Sequence, residues 1–563
     1  MKKTLTRMAL LLAALAPLAG AVAQQGGHSI TVNIKNIPNQ TLFLAHHFGN
    51  SLYVNDTLVL DASGKGTFAD AKPLPGGMYL IYLQPKGTYF DIMLDADQEF
   101  SIEVDTANFV ETFRVQGSDE NQVFYDYQRF LRVRQDKVAA LQAEKTTAQE
   151  AGNTARVEQI DQQLETLNAE VRDKMIGVTS QHPDLFFSKF LAMTKEVEVP
   201  EIKNADGQND PYAQWIYYRA HYFDNIDLAD SRYLRTPVFE NKLMNYVKNV
   251  LPQIPDTLIV ECDKLIEASR PDSVMYRFVL GTLHNHFVAS EIMGMDAVFL
   301  HLAEKYYVHN WWSNAEYIDD IKERIQKEKP LLIGKTFPNT QALRVDNSYF
   351  IQKKSNPSYT RPILDGSYLS MNSVQADYTI VMFWEADCSH CRRALPELKR
   401  VYDRLKGHSV EVVAWHMLGG EEGKTKWETF INDNQMHDWV NVWDPTYQSK
   451  YKDVYNINSS PVLFLLDKDK KIIGKKIGPD VAEDLIMEYT LRDLTEGVPQ
   501  AEVLPIVKDF AASFSNRLSI QKAKDFGLKG LQDDQKAEFE AFCDELMSRY
   551  PEVEEPESHD DGH

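Results

Sequence analysis

Tyr378-Thr379-Ile380-Val381-Met382-Phe383-Trp384-Glu385-Ala386-Asp387-Cys388-Ser389-His390-Cys391-Arg392-Arg393 decides how the C-terminal part of this chain is read. Its first seven residues are apolar or β-branched and uncharged, which suits a strand buried on both faces. Downstream, Ala394, Leu395, Leu398, Val401 and Leu405 fall on one face of a helix. Cys388 and Cys391 therefore stand where a strand ends and a helix begins. The first turn of a helix has unpaired N–H groups and a partial positive charge, and both stabilise a thiolate. The thiolate is the attacking species in disulfide exchange, so Cys388, the first and more exposed cysteine, is the expected nucleophile. Cys391, one turn on, is placed to resolve the mixed disulfide, and together the two form the expected redox-active disulfide. His390 adds a nearby donor, and with Ser389 it is read as tuning the pair. The bland alternatives are an inert disulfide or a metal knuckle. With only four cysteines in 563 residues, and Cys262 and Cys543 isolated, there is no second ligand pair for zinc. Neither metal nor cofactor is expected.

Around this stretch, residues 331–491 alternate strands and helices. Residues 410–417 read as a strand, 424–434 as a helix and 440–444 as a short strand. Lys468-Asp469-Lys470 reads as a turn, and a final helix starts at Asp480. Residues 29–113 alternate in the strand period, with turn signals such as Asp61-Ala62-Ser63-Gly64. Residues 118–329 turn polar and helix-forming, including a helical hairpin broken at Gly152-Asn153. The aromatics Trp215, Tyr217, Tyr218, Tyr222 and Phe223 read as core or as a ligand groove. Residues 492–563 form a helical tail with an acidic, disordered end, where His559 and His563 offer at most a loose metal site. The expected fold class is a multidomain α+β chain: a β-sandwich-like domain, a central all-α region and a C-terminal α/β domain.

The first 23 residues read as a signal peptide. Lys2, Lys3 and Arg7 precede a short apolar run, and Ala21-Val22-Ala23 supplies the cleavage pattern. No cysteine lies nearby for a lipid anchor, and no stretch is long enough to span a bilayer. Export to the periplasm without stable membrane insertion is expected. A net charge of -22 repels nucleic acid and anionic membrane.

The active segment resembles the TlpA/ResA-like branch of the thioredoxin superfamily. Pro396, five residues after Cys391, stands where that family kinks its active-site helix. Tyr455-Asn456-Ile457-Asn458-Ser459-Ser460-Pro461-Val462-Leu463-Phe464-Leu465-Leu466-Asp467 resembles the segment holding its cis-proline. The resemblance implies a thioredoxin-like fold, a cis Ser460–Pro461 bond facing the cysteines, and Ser460, Pro461 and Trp384 as substrate-contacting residues. Two positions depart from the pattern. Met382 replaces a buried Asp, and Ala394 replaces a Glu, each a proton carrier for the resolving thiol. Glu385, Asp387 and water are the candidates left, unranked. Residues 29–113, Gly117-Ser118-Asp119-Glu120-Asn121 and Asp230-Ser231-Arg232-Tyr233-Leu234-Arg235-Thr236-Pro237 resemble the β-rich and helical domains of unknown function that often precede such modules. Arg232 and Arg235 read as interdomain salt bridges or as a carboxylate grip.

The implied function is thiol–disulfide exchange with exported client proteins that carry cysteines or disulfides; most relatives act as reductants recharged by a membrane electron donor, whereas His390 pushes the pair towards an oxidant. The competing reading is a cell-envelope binding protein with the thioredoxin-like domain as an accessory. A thiol peroxidase would want Thr or Ser where Glu385 stands.

Overall fold

The computed structural model describes residues 27–84 and 87–551. The segments read above as signal peptide and acidic tail, with His559 and His563, lie outside the described residues. Two compact units divide the chain. One holds residues up to Gln253 together with Glu261–Val279, and the other holds Ile254–Val260 and everything from Leu280 onward.

In the first unit, strands β1 (His28–Lys35), β2 (Thr41–Phe48), β3 (Ser51–Val59), β4 (Lys65–Asp70), β5 (Gly77–Leu83), β6 (Thr88–Leu94), β7 (Glu99–Asp105) and β8 (Arg114–Gln116) form two four-stranded sheets. Their orders are β4-β1-β7-β8 and β3-β2-β5-β6. Alternation explains the burial: Ile30, Val32 and Ile34 of β1 are inside while the residues between them are partly exposed. Helices α1 (Asp119–Glu150) and α2 (Thr154–Gln181) follow as a hairpin. Gly152 turns the chain at φ +68°, and the Asn153 side chain accepts from Arg156 N at 3.1 Å to cap α2. Arg232 bonds Asp95 of the β-rich part at 2.8 Å and also holds Asp230, so this arginine is an interdomain tie. Tyr222 is buried, and Tyr222, Phe223 and Tyr246 pack as rings.

The second unit carries helices α3 (Asp296–Lys305) and α4 (Ala315–Glu328), then a seven-stranded sheet. Its strands are β9 (Gln341–Val345), β10 (Leu364–Ser370), β11 (Tyr378–Trp384), β12 (Val410–His416), β13 (Val440–Trp443), β14 (Val462–Leu466) and β15 (Ile472–Lys475). The order is β10-β9-β13-β12-β11-β14-β15. β11 is interior and every one of its residues is buried. It pairs parallel with β12 and antiparallel with β14. Ile380, Met382 and Trp384 face one apolar cluster, and Val381 and Phe383 face the other. On the first face lie α5 (Ser389–Leu405), α6 (Gly420–Asp433) and α7 (Pro479–Thr495). The tail helices α8 (Val503–Ala512), α9 (Arg517–Gly530) and α10 (Asp533–Met547) join that same core through Val507, Phe510, Ile520 and Phe539. Among the described residues, no helix is long and apolar enough to cross a membrane.

Candidate active site

β11 ends at Trp384 and α5 starts at Ser389, so Cys388 is the residue that caps the helix. Its backbone is extended, at φ -73° and ψ 125°. Its carbonyl already accepts the first helical bond, from Arg392 N at 3.0 Å. Cys391 is on the first turn and fully buried, while Cys388 is partly exposed. Burial and the helix end act on the two thiols in opposite senses. Burial pushes Cys388 up, but the backbone N–H of Cys391, the Ser460 side chain, the Cys391 thiol and the backbone N–H of His390 outweigh it. The net shift is downward. For Cys391 burial wins, and its thiol is pushed up to about 12.

Opposite the helix end, Ser460–Pro461 is a cis peptide. The Cys388 thiol donates to the Ser460 carbonyl at 3.4 Å. Glu385 ties the two halves together. Its backbone N–H donates to Cys391 Sγ at 3.5 Å, and its carboxylate accepts from Ser460 Oγ at 3.1 Å. Asp387 is turned away, pairing with Lys426 at 3.2 Å. The structure thus distinguishes two carboxylates that the sequence left equal.

Ser389 and His390 are exposed. The His390 ring is engaged by Arg393, which donates to its Nδ1 at 3.0 Å. What His390 gives Cys388 is its backbone N–H, which any residue there except proline would supply.

Trp384 corrects an expectation. Read as substrate-contacting, it is fully buried. It is the last residue of an interior strand, and its ring packs on His416 and Phe430, each 5.1 Å away between centroids. Burial pushes His416 down to about 3, so that imidazole is neutral in its aromatic stack on Trp427. Met382 also lies in the core, where a methionine packs without the partner a buried carboxylate would need. Cys262 and Cys543 are free and buried, and burial raises both thiols. They are small apolar residues of the core.

Residues 376–472 match the thioredoxin-like family model, and residues 151–329 match a domain of unknown function. The thiol-disulfide oxidoreductase ResA of Bacillus cereus is 25% identical over 132 residues, covering 23% of this chain and 73% of the relative. The sporulation thiol-disulfide oxidoreductase A of Bacillus subtilis is 32% identical over 107 residues, covering 19% of this chain and 63% of the relative. Among solved structures, a thioredoxin-like protein from Bacteroides caccae aligns with 52% of this chain and 98% of its own, at 20% identity and a TM-score of 0.39. A strand–helix junction carrying the two cysteines, the facing Ser460–Pro461 loop and these sequence matches converge on one conclusion: residues 376–472 are a thioredoxin-like domain, related to the ResA-like thiol–disulfide oxidoreductases.

Proposed function

We propose that this chain is an exported, periplasmic thiol–disulfide oxidoreductase that reduces envelope proteins through Cys388 and Cys391. The observation that carries the reading is the placement of the two thiols: Cys388 is partly exposed at a helix end against the cis Ser460–Pro461 peptide, and Cys391 is fully buried one turn on. The Cys388 thiolate attacks a client disulfide, so one client S–S bond breaks and a Cys388–client bond forms. The first client sulfur leaves as a thiolate and takes up a proton. Cys391 then loses its proton and attacks Cys388 Sγ. The Cys388–Cys391 bond forms and the second client sulfur is released, so the client gains the two electrons that the protein thiols lose.

Cys391 holds its proton tightly, so the second step needs a base, and Glu385 is the carboxylate whose own residue bonds both Cys391 and Ser460. The Ser460 backbone, beside Cys388, offers a client segment main-chain pairing. Running as a reductant requires electrons to return to the pair, and a membrane donor would supply them. The binding-protein reading gives no role to a thiol pair tuned in this way.

The test is reduction of insulin by dithiothreitol. The wild-type chain should accelerate precipitation and Cys388→Ser should not; equal rates would remove the proposal. A reduction potential below about -250 mV would support the reductant direction, and one near -120 mV would reverse it.

A further inference from the structure

The loop 456–461 has two sides. Ser460 meets Cys388 on one. On the other, Asn456 and Val462 line a cavity of 560 Å³ whose far wall is the segment leading into α3, together with α3 and α4 themselves. This volume lies inside the range of about 300–1,000 Å³ found for ligand sites.

Of the six ionic groups in the lining, Glu291 and Lys476 are exposed, and the other four are paired with one another. Lys475 bonds Asp296 and the Leu331 carbonyl. Arg324 bonds Glu328 at 2.7 Å and lies over the Phe299 ring at 4.2 Å. A charged ligand seated against these four would have to break their pairs. What the cavity offers instead is apolar surface: Phe299 and Val462 inside, and at the rim Val288, Ile292 and Met293, which are 37%, 55% and 36% exposed. A rim of exposed Ile and Met beside a cavity that also presents Phe299, Val462 and Phe464 suits an apolar partner, and methionine adapts to varied shapes.

We infer that this cavity receives apolar side chains of the client polypeptide, a few residues from the client cysteine that Cys388 attacks. The inference rests on the thiol–disulfide reading above. Reach supports it: Val462 is two residues from Ser460, at most about 7 Å away across the cis bond, so a client strand paired at Ser460 comes to the cavity within about two to four of its own residues. The helical segment before the thioredoxin-like domain then helps choose substrates. Clients with bulky apolar residues near the cysteine are preferred over polar ones.

The experiment uses the full chain and two synthetic peptides, each with one cysteine capped as a disulfide to thionitrobenzoate. One peptide carries Leu at positions two to four on both sides of the cysteine, the other Ser. Attack by Cys388 on the peptide sulfur breaks the capping bond, forms the protein–peptide bond and releases coloured thionitrobenzoate. Wild type should release it from the Leu peptide about ten-fold faster, the effect of burying one apolar side chain. The double variant Ile292→Asp, Met293→Asp should bring the ratio close to one. Equal rates on wild type, or a ratio kept by the double variant, would overturn the inference while leaving the thiol–disulfide reading intact. Failure of wild type to act on either peptide, or on the small disulfide of thionitrobenzoate itself, would instead overturn that reading. If the double variant does not fold, Val288→Ser, a smaller change at an exposed position, takes its place with the same two outcomes.

Discussion

Cys388 and Cys391 are separated by one helical turn, yet their protons are held very differently, and the cause is position rather than residue type. Cys388 receives N–H groups from the helix end, and Cys391 receives mainly an apolar surround. Iodoacetamide at pH 7 should therefore label Cys388 alone, with a rate that levels off below the ordinary thiol value of about 8.5; labelling of Cys391 at a similar rate would contradict the assignment. The sign for stability follows from the lowered value. The folded chain favours the Cys388 thiolate, so the reduced protein gains stability as pH rises towards the ordinary thiol value. It loses that gain as pH falls through the lowered one. Cys388→Ser should flatten this rise in denaturant titrations. For Glu385, Glu385→Gln keeps the shape but removes the base. Closure of the mixed disulfide should slow by about 100-fold, within the usual range for general base catalysis, while the first attack keeps its rate. Single-turnover traces with an accumulating mixed disulfide would show this, and unchanged closure would exclude Glu385.

Helices α5, α7 and α9 meet at a buried charge cluster. Glu483 on α7 is fully buried and accepts two bonds from Arg404 of α5, at 2.8 and 2.7 Å. Lys522 of α9 approaches it at 2.9 Å. Burial pushes the Glu483 carboxyl up, but Arg404 and Lys522 more than reverse it and hold it below the usual carboxylate range. Removing the acid strips Arg404 of the carboxylate it bonds twice, while Lys522 keeps Asp484, at 2.7 Å. Glu483→Ala should therefore cost about 3–5 kcal/mol of stability, the amount typical of breaking a buried pair. A change below 1 kcal/mol in urea unfolding would show the cluster to be dispensable. Since α5 begins at Cys388, this cluster also fixes the axis of the helix that carries the thiols.

Taken together, the tail is part of the second unit's core rather than an appendage. Val507, Phe510, Ile520, Phe539 and Leu546 are buried in the cluster that also holds Leu398 and Trp384. Each such side chain is worth about 1.5–3 kcal/mol when buried, and five of them approach the whole stability of a domain, about 5–15 kcal/mol. In a chain ending at Glu496, the second unit should lose its cooperative thermal transition. A melt within a few degrees of the full chain would show the thioredoxin-like domain to be self-sufficient.

Where a feature depends on neighbours along the chain, the amino-acid order was sufficient. The seven uncharged residues of β11 made a buried strand, the apolar spacing after Cys391 made a helix, and Gly152-Asn153 broke the hairpin. Side-chain period and turn chemistry are local properties, so they can be read without coordinates. Trp384 shows the limit. Its place beside the cysteines in sequence suggested contact with substrate, but the pleat turns it inward, onto His416 and Phe430. The Glu385–Ser460 bond joins residues 75 apart, and Arg404, Glu483 and Lys522 come from three separate helices. No periodicity encodes which surfaces meet, because amphipathic faces are interchangeable in pattern and become specific only when shape and charge are matched in the folded core.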